Sequence, residues 1–186
     1  MFTRWMFYQR RGYIWQRANH HILICNALER VFNGETKRLI INIPPRYSKT
    51  EIAVVNFIAW AMGCVPDCEF IHASYSATLA VNNSVQIRNL VQHEEYRAIF
   101  PDLALASESS HHWKTTAGGV MYATGTGARL PALVRANTAR GSAAQSYWTI
   151  CTRPTKHEAR SDGRMLSTGF KIRWNHGRTA PIHRLS

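Results

Sequence analysis

The stretch from residue 38 to residue 62 is the feature that most constrains how this chain can fold. Residues 38–43 read R-L-I-I-N-I, a short β-branched run typical of a buried strand in a parallel sheet. Pro44 and Pro45 end that strand, since proline has no N–H to give to a sheet ladder. Residues 52–62 are apolar except for Asn56 and favour a helix that ends at Gly63. A buried strand that leads directly into a helix is the building unit of α/β proteins.

Other segments repeat this alternation of helix and strand. We expect helices over residues 15–31 and 76–92, the second capped by Ser76, and strands over residues 69–74 and 119–124, with a polar loop over 107–112 between them. The order predicts an α/β fold with parallel strands and crossover helices. The alternation stops after Gly127, and we expect residues 128–186 to be irregular.

The positive charge of the chain is concentrated in its last third. The net charge is +12, but residues 1–127 carry 12 Lys and Arg against 9 Asp and Glu. Residues 128–186 carry 11 Lys and Arg against only 2 acidic residues. A basic surface that binds nucleic acid would therefore belong to this tail and not to the whole domain.

The spacing of cysteines and histidines favours no metal site. Cys64 and Cys68 form a loose C-x3-C pair without a second Cys or His pair at zinc-site distance. We interpret Cys25, Cys64, Cys68 and Cys151 as free thiols, His20 and His21 as helix or packing residues, and His111 and His112 as loop residues. No apolar run suggests a membrane span or a signal peptide, so we expect a cytoplasmic protein.

The turn between the strand over residues 38–43 and the helix over 52–62 is the segment whose residues predict a chemical function. In a phosphate-binding loop the chain leaves a strand and enters a helix whose N–H groups and dipole face the phosphates. A lysine reaches the β- and γ-phosphates, and the following Ser or Thr binds Mg²⁺. Lys49 and Thr50 occupy those places, but Ser48 replaces the last glycine of G-x-x-x-x-G-K-[ST], and Ile43 replaces the first. A Lys-Thr pair also occurs at ordinary solvated helix starts.

Several blocks in the same order resemble the large subunit of phage terminases. Residues 44–51, P-P-R-Y-S-K-T-E, are similar to the variant Walker A of that family, P-P-R-x-[GS]-K-[ST]-E. Residues 70–76 resemble its second strand and A-S-Y-S turn. The blocks 87–88, 95–101 and 115–125 resemble the next helix, its F-P end and the T-x-A-G-G segment, and the block from His20 to Leu28 is also family-like. The resemblance covers about residues 8–127.

The resemblance implies a fold and a function. The fold would be a P-loop NTPase-like three-layer sandwich with a mostly parallel sheet, incomplete here. Lys49 would bind the ATP phosphates, Thr50 the Mg²⁺, and Arg46 would contact phosphate or sense the nucleotide, with Tyr47 and Ser48 completing the ATP-binding loop. The family uses ATP hydrolysis to pump double-stranded DNA into a procapsid, with a portal protein and a terminase small subunit as partners. The location would be the cytoplasm of a bacterial host, from a prophage.

The acidic Walker B strand of that family does not appear after Gly127. The acids that remain are Glu158 and Asp162, and neither follows an apolar strand, so we retain no catalytic residue and expect little or no hydrolysis. When the codons for residues 147–149 are read one nucleotide earlier, they give Leu-Asp whichever codons are used. Permissive codons upstream give G-F-G-G-A-I-I-L-D-D, and residues 167–177 permit N-W-F-Q-N-T-L-E-S-R, both of which resemble the family.

We therefore expect a frameshift near residue 127. Residues 1–127 would be a partial terminase ATPase domain, and residues 128–186 a basic, out-of-frame and poorly ordered tail. A fresh read of the gene through the codons for residues 124–132 tests this hypothesis. A shifted frame that does not encode the family segment would exclude it.

Two other functions remain open from the sequence. Another P-loop ATPase, such as a helicase or recombinase, would share the loop and the strand order. A non-enzymatic basic nucleic-acid-binding protein would bind through the tail, with an affinity that weakens steeply as salt rises.

Overall fold

The computed structural model describes residues 2–125, 147–154 and 168–175 of the 186-residue chain. In these ranges the helices are α1 (Phe2–Arg11), α2 (Asn19–Phe32), a π-helical segment (Glu51–Asn56) that continues into α3 (Phe57–Cys64), α4 (Ala77–Val91) and α5 (Glu94–Ile99). The strands are β1 (Arg38–Ile43), β2 (Glu69–Ser74), β3 (Leu105–Ser107), β4 (His112–Thr115), β5 (Val120–Gly125), β6 (Tyr147–Pro154) and β7 (Thr168–Asn175).

All the described strands join one sheet, in the order β1-β7-β6-β2-β5-β4-β3. Strand β2 pairs in parallel with β5 on one side and β6 on the other. The other pairings, β1 with β7, β6 with β7, β3 with β4 and β4 with β5, are antiparallel. The fold is therefore mixed α/β, and the prediction of a mostly parallel sheet is wrong. The connections between β3, β4 and β5 are too short for crossover helices and permit only antiparallel hairpins.

The central elements follow the sequence pattern closely. Strands β1 and β2 have the predicted bounds, and β5 is shifted by one residue from the predicted strand over 119–124. Helix α4 begins after Ser76, whose Oγ accepts a hydrogen bond from the Leu79 N–H at 3.4 Å, as its predicted role as N-cap requires. Helix α2 begins at Asn19, later than predicted, and residues 13–18 before it are not helical. Helix α1 and the short strands β3 and β4 were not predicted.

The tail contributes two strands, residues 147–154 and 168–175, where the prediction was an irregular region. Residues 168–175 read T-G-F-K-I-R-W-N, and the apolar side chains alternate with charged ones at the period of a strand. Residues 147–152 are mostly aromatic, β-branched or threonine, which also favours a strand. The other residues of 128–186 lie outside the described ranges. Strands β6 and β7 lie between β1 and β2 in the strand order of the sheet.

The core lies around the π segment, α3 and α4. The π segment and α3 are buried on almost every face, as their apolar sequence requires. Tyr96 of α5 is fully buried, and its hydroxyl donates to the Ala59 carbonyl at 2.7 Å. Trp113 of β4 is also fully buried, and its Nε1 donates to Ser84 Oγ at 3.1 Å. Buried polar groups on the large aromatics are thus satisfied. Among the described helices, none has the length and apolarity to cross a membrane.

Gly119 lies where the turn between β4 and β5 meets the segment that leads into β2. A Cβ on Gly119 would lie 2.3 Å from the Pro66 carbonyl oxygen and 2.9 Å from the Cys68 carbonyl oxygen. Both are backbone atoms on the same side of the turn, so they cannot rotate away as a side chain would. This close approach gives a structural reason for the second glycine of the A-G-G block.

We predict that Gly119→Ala lowers the free energy of unfolding by about 1–3 kcal/mol, the usual cost of overpacking a well-filled site. Urea denaturation followed by circular dichroism measures the change. Ala117→Ser, on the exposed part of the same turn, is the matched control and should stay within about 0.5 kcal/mol of wild type. Equal stability of Gly119→Ala and wild type would show that the turn does not approach β2 this closely.

Candidate phosphate-binding site

The loop between β1 and the following helix is built as the sequence predicts. Strand β1 ends at Ile43, residues 44–48 form the loop, and helical backbone begins at Lys49. The Ile52 N–H donates to the Ser48 carbonyl at 3.0 Å, which starts the helix immediately after the loop. The loop therefore opens a helix N-terminus, where N–H groups without partners in the helix favour an anion.

The loop backbone is left-handed at two non-glycine residues, Arg46 (φ 67°) and Ser48 (φ 57°). Ser48 stands at the last glycine of G-x-x-x-x-G-K-[ST], and it adopts a conformation that normally favours glycine. The sequence departs from the motif at this position, but the backbone has the conformation that a glycine there would permit. For an L-residue this conformation costs on the order of 1–2 kcal/mol, and such strain concentrates at ligand sites.

Lys49 is buried, with 6% of its surface exposed, and its Nζ donates to the Ile43 carbonyl oxygen at 2.8 Å. This hydrogen bond joins the residue after the loop to the residue before it and holds the loop closed. An ammonium group at low exposure needs such partners, since an unpaired buried charge is costly. The positive charge therefore lies inside the curve of the loop.

An open depression of about 400 Å³ lies over the loop. It is lined by Pro45, Arg46, Ser48, Lys49, Thr50 and Glu51. Four of the five predicted ATP-binding residues therefore meet at one place. Tyr47, the fifth, is 46% exposed and lies beside the ring of His20, with 5.4 Å between ring centroids. It packs against α2 and is not among the residues that line the depression.

A second depression, of about 420 Å³, adjoins the first and shares Ser48 and Glu51 with it. The N-terminal segment supplies its remaining wall: Phe7, Tyr13, Ile14, Trp15, Gln16 and His21. The Phe7 ring packs edge-on against Tyr13 at 5.1 Å and Trp15 at 4.7 Å, which fixes this aromatic wall. This wall was not predicted; the aromatic residues of the first 15 positions were its only signal in the sequence.

His21 anchors that wall to α2. Its Nδ1 accepts hydrogen bonds from the Trp15 Nε1–H at 3.2 Å and from the Ala18 N–H at 3.1 Å. Burial, assisted by the neighbouring His20, lowers the pKa of His21, so the neutral ring is the form that accepts both bonds. His21 is a packing residue, as the sequence predicted for this pair.

Glu51 connects the loop to the N-terminal helix. Its Oε1 accepts from the Arg10 guanidinium at 2.8 Å and from Asn56 Nδ2 at 2.9 Å. Asn56 Nδ2 also donates to the Glu51 carbonyl at 2.6 Å, across the π segment. Both charged side chains are mostly covered, with 14% of Arg10 and 16% of Glu51 exposed. This network was not predicted, because Arg10 lies on helix α1, which the sequence pattern did not indicate.

The described residues of the site do not form a metal centre of their own. Within the described ranges, no group of three or more His, Cys, Asp or Glu side chains is arranged to hold a metal. Thr50 contributes one exposed hydroxyl at the start of the helix. Mg²⁺ commonly takes few protein ligands and completes its shell with phosphate oxygens and water.

Comparison with protein-family models, with curated proteins and with solved structures returned no match for this chain. The site is therefore characterised by its own geometry.

We predict that Ser48→Val lowers the free energy of unfolding by about 1–2 kcal/mol, because a β-branched residue is strained at φ 57°. Ser48→Gly is the matched variant at the same position. It relieves the strain but makes the unfolded chain more flexible, so it should stay within about 1 kcal/mol of wild type. Urea unfolding curves compare the three proteins. Equal stability of the valine and glycine variants would show that residue 48 is not left-handed.

Proposed function

We propose that this chain binds ATP through the loop over residues 44–50 and is a fragment of a terminase large subunit with little or no hydrolytic activity. The main support for this proposal is the position of Lys49. Its ammonium group lies inside a strained loop between a strand and a helix N-terminus, hydrogen-bonded to Ile43. A loop of that shape brings an ammonium group, helix N–H groups and a hydroxyl together in one small volume.

The sheet adds support, because three strands end at the edge where the phosphate loop lies. Strand β1 runs antiparallel to β7, and β7 antiparallel to β6, so β1 has the direction of β6 and β2. The carboxyl ends of β1, β2 and β5 therefore lie on one edge, and in open α/β sheets ligands bind outside that edge. Gly125, at the end of β5, lies against Ala77, which begins α4.

Each residue of the loop has a distinct role in this proposal. Lys49 exchanges its bond to the Ile43 carbonyl for the β- and γ-phosphate oxygens of the nucleotide. Ser48 and the first helical N–H groups bind phosphate oxygens through the backbone. Thr50 would supply its hydroxyl to a bound Mg²⁺, and the ion would neutralise charge on the phosphates. Arg46, exposed on the rim of the depression, can reach the outer phosphate from solvent.

Hydrolysis needs a carboxylate that positions water, and the described part of the depression has only Glu51 as an acid. Glu51 is already paired with Arg10 and Asn56. We therefore propose binding without efficient turnover for the chain as it stands. The P-loop NTPase-like three-layer sandwich, DNA packaging, and the partners double-stranded DNA, portal protein and small subunit belong to the same proposal, and they rest on the sequence resemblance.

The two alternatives differ in what they leave unexplained. A helicase or recombinase-like ATPase would account for the loop but not for the A-S-Y-S and T-x-A-G-G blocks. A basic nucleic-acid-binding protein would account for the charged tail but not for the loop geometry. Deleting the tail would not separate these functions cleanly, because β6 and β7 lie between β1 and β2. Titrations of the whole chain are the better test.

We predict that the full chain binds ATP with Mg²⁺ and that Lys49→Ala weakens binding by about 100-fold, since it removes a charge-assisted contact at the centre of the loop. Isothermal titration calorimetry measures both affinities, and a phosphate-release assay measures turnover. Lys37→Ala, which removes an exposed lysine just before β1, is the matched control and should bind like wild type. Equal binding by wild type and Lys49→Ala, or no binding by wild type, would refute the proposal.

A further inference from the structure

The network around Glu51 places a carboxylate at the phosphate site, which is an unfavourable arrangement unless the charge is compensated. Glu51 lines the same depression as Lys49 and Thr50. A phosphate chain bound there would be repelled by a free carboxylate at short range. The geometry of the network indicates how this repulsion is reduced.

We infer that Arg10 is a positioning residue for nucleotide binding: it neutralises Glu51 and holds its carboxylate against α1. This inference rests on the proposed function and adds an electrostatic component from outside the loop. The 2.8 Å contact between the Arg10 guanidinium and Glu51 Oε1 connects residues that are far apart in the sequence. Both side chains are mostly covered, so water screens the pair less than it screens a surface pair.

Asn56 assists from the opposite side. Its Nδ2 donates to both the carboxylate and the carbonyl of Glu51, and so fixes the side chain relative to the π segment. Asn56 is fully buried, and its Oδ1 has no hydrogen-bond partner among the described residues. An unsatisfied buried amide oxygen is costly, so the two bonds to Glu51 account for an asparagine at this position.

The neighbouring arginine shows that the contact is specific to one residue. Arg11 follows Arg10 on α1 and is exposed, and it has no salt bridge within the described residues. If α1 acted only through its total positive charge, removing Arg11 would weaken nucleotide binding as much as removing Arg10. The network, in contrast, predicts that only the removal of Arg10 weakens nucleotide binding, and only while Glu51 is charged.

The test is a double-mutant cycle on nucleotide affinity. Isothermal titration of the full chain with ADP and Mg²⁺ compares wild type, Arg10→Ala, Glu51→Gln and the double variant, with Arg11→Ala as the matched control. Arg10→Ala should weaken binding by about 5- to 10-fold at low salt, and the loss should shrink at 0.5 M salt, because screening acts on a charge repulsion. Glu51→Gln should tighten binding, and the double variant should recover at least the wild-type affinity.

Each outcome has a definite meaning. If wild type binds, Lys49→Ala does not, and Arg10→Ala binds like wild type, the inference is overturned and the proposed function stands. If Glu51→Gln does not rescue Arg10→Ala, Arg10 has only a structural role, which also overturns the inference. If wild type does not bind at all, both fail. If Arg10→Ala does not fold, the nucleotide affinity of Glu51→Gln is the remaining test. Unchanged or weaker binding by that variant overturns the inference.

Discussion

The hydrogen bond from Lys49 Nζ to the Ile43 carbonyl is the interaction on which the candidate site depends. It closes a short loop whose backbone is strained at Arg46 and Ser48, and it satisfies an ammonium group that is almost fully covered. Without it, the end of β1 and the start of the helix would have no direct polar connection among the contacts described above. Such strain persists only where the surrounding contacts hold it in place, and it is concentrated at ligand sites.

Local sequence chemistry predicted the elements that position this loop. β-branched runs gave correct bounds for β1 and β2, Ser76 capped α4, and the turn at Pro44 and Pro45 separated strand from helix. These features depend on neighbouring residues alone, so no knowledge of tertiary contacts was required. The position of four of the five predicted ATP-binding residues around one depression follows from the same local order.

The remaining features depend on contacts between distant segments. The antiparallel pairing of β1 with β7 cannot be inferred from the local pattern of either strand, although the alternation over residues 168–175 could have indicated a strand. The Arg10 contact to Glu51 requires knowing that α1 packs against the π segment. Tyr47 lies within the motif, but the left-handed backbone on both sides of it directs its ring toward His20.

The place of β1 in the sheet has a consequence for how the chain is made. Strand β1 lies at one end of the strand order, and its ladder partner is β7, so Arg38 pairs with Arg173. On the ribosome the phosphate loop emerges long before the strand that holds β1 in the sheet. Such a distant pairing is slow to form, and β1 stays exposed to other strands in the meantime. The place of β1 in the sheet is therefore completed only after residues 168–175 have been synthesised.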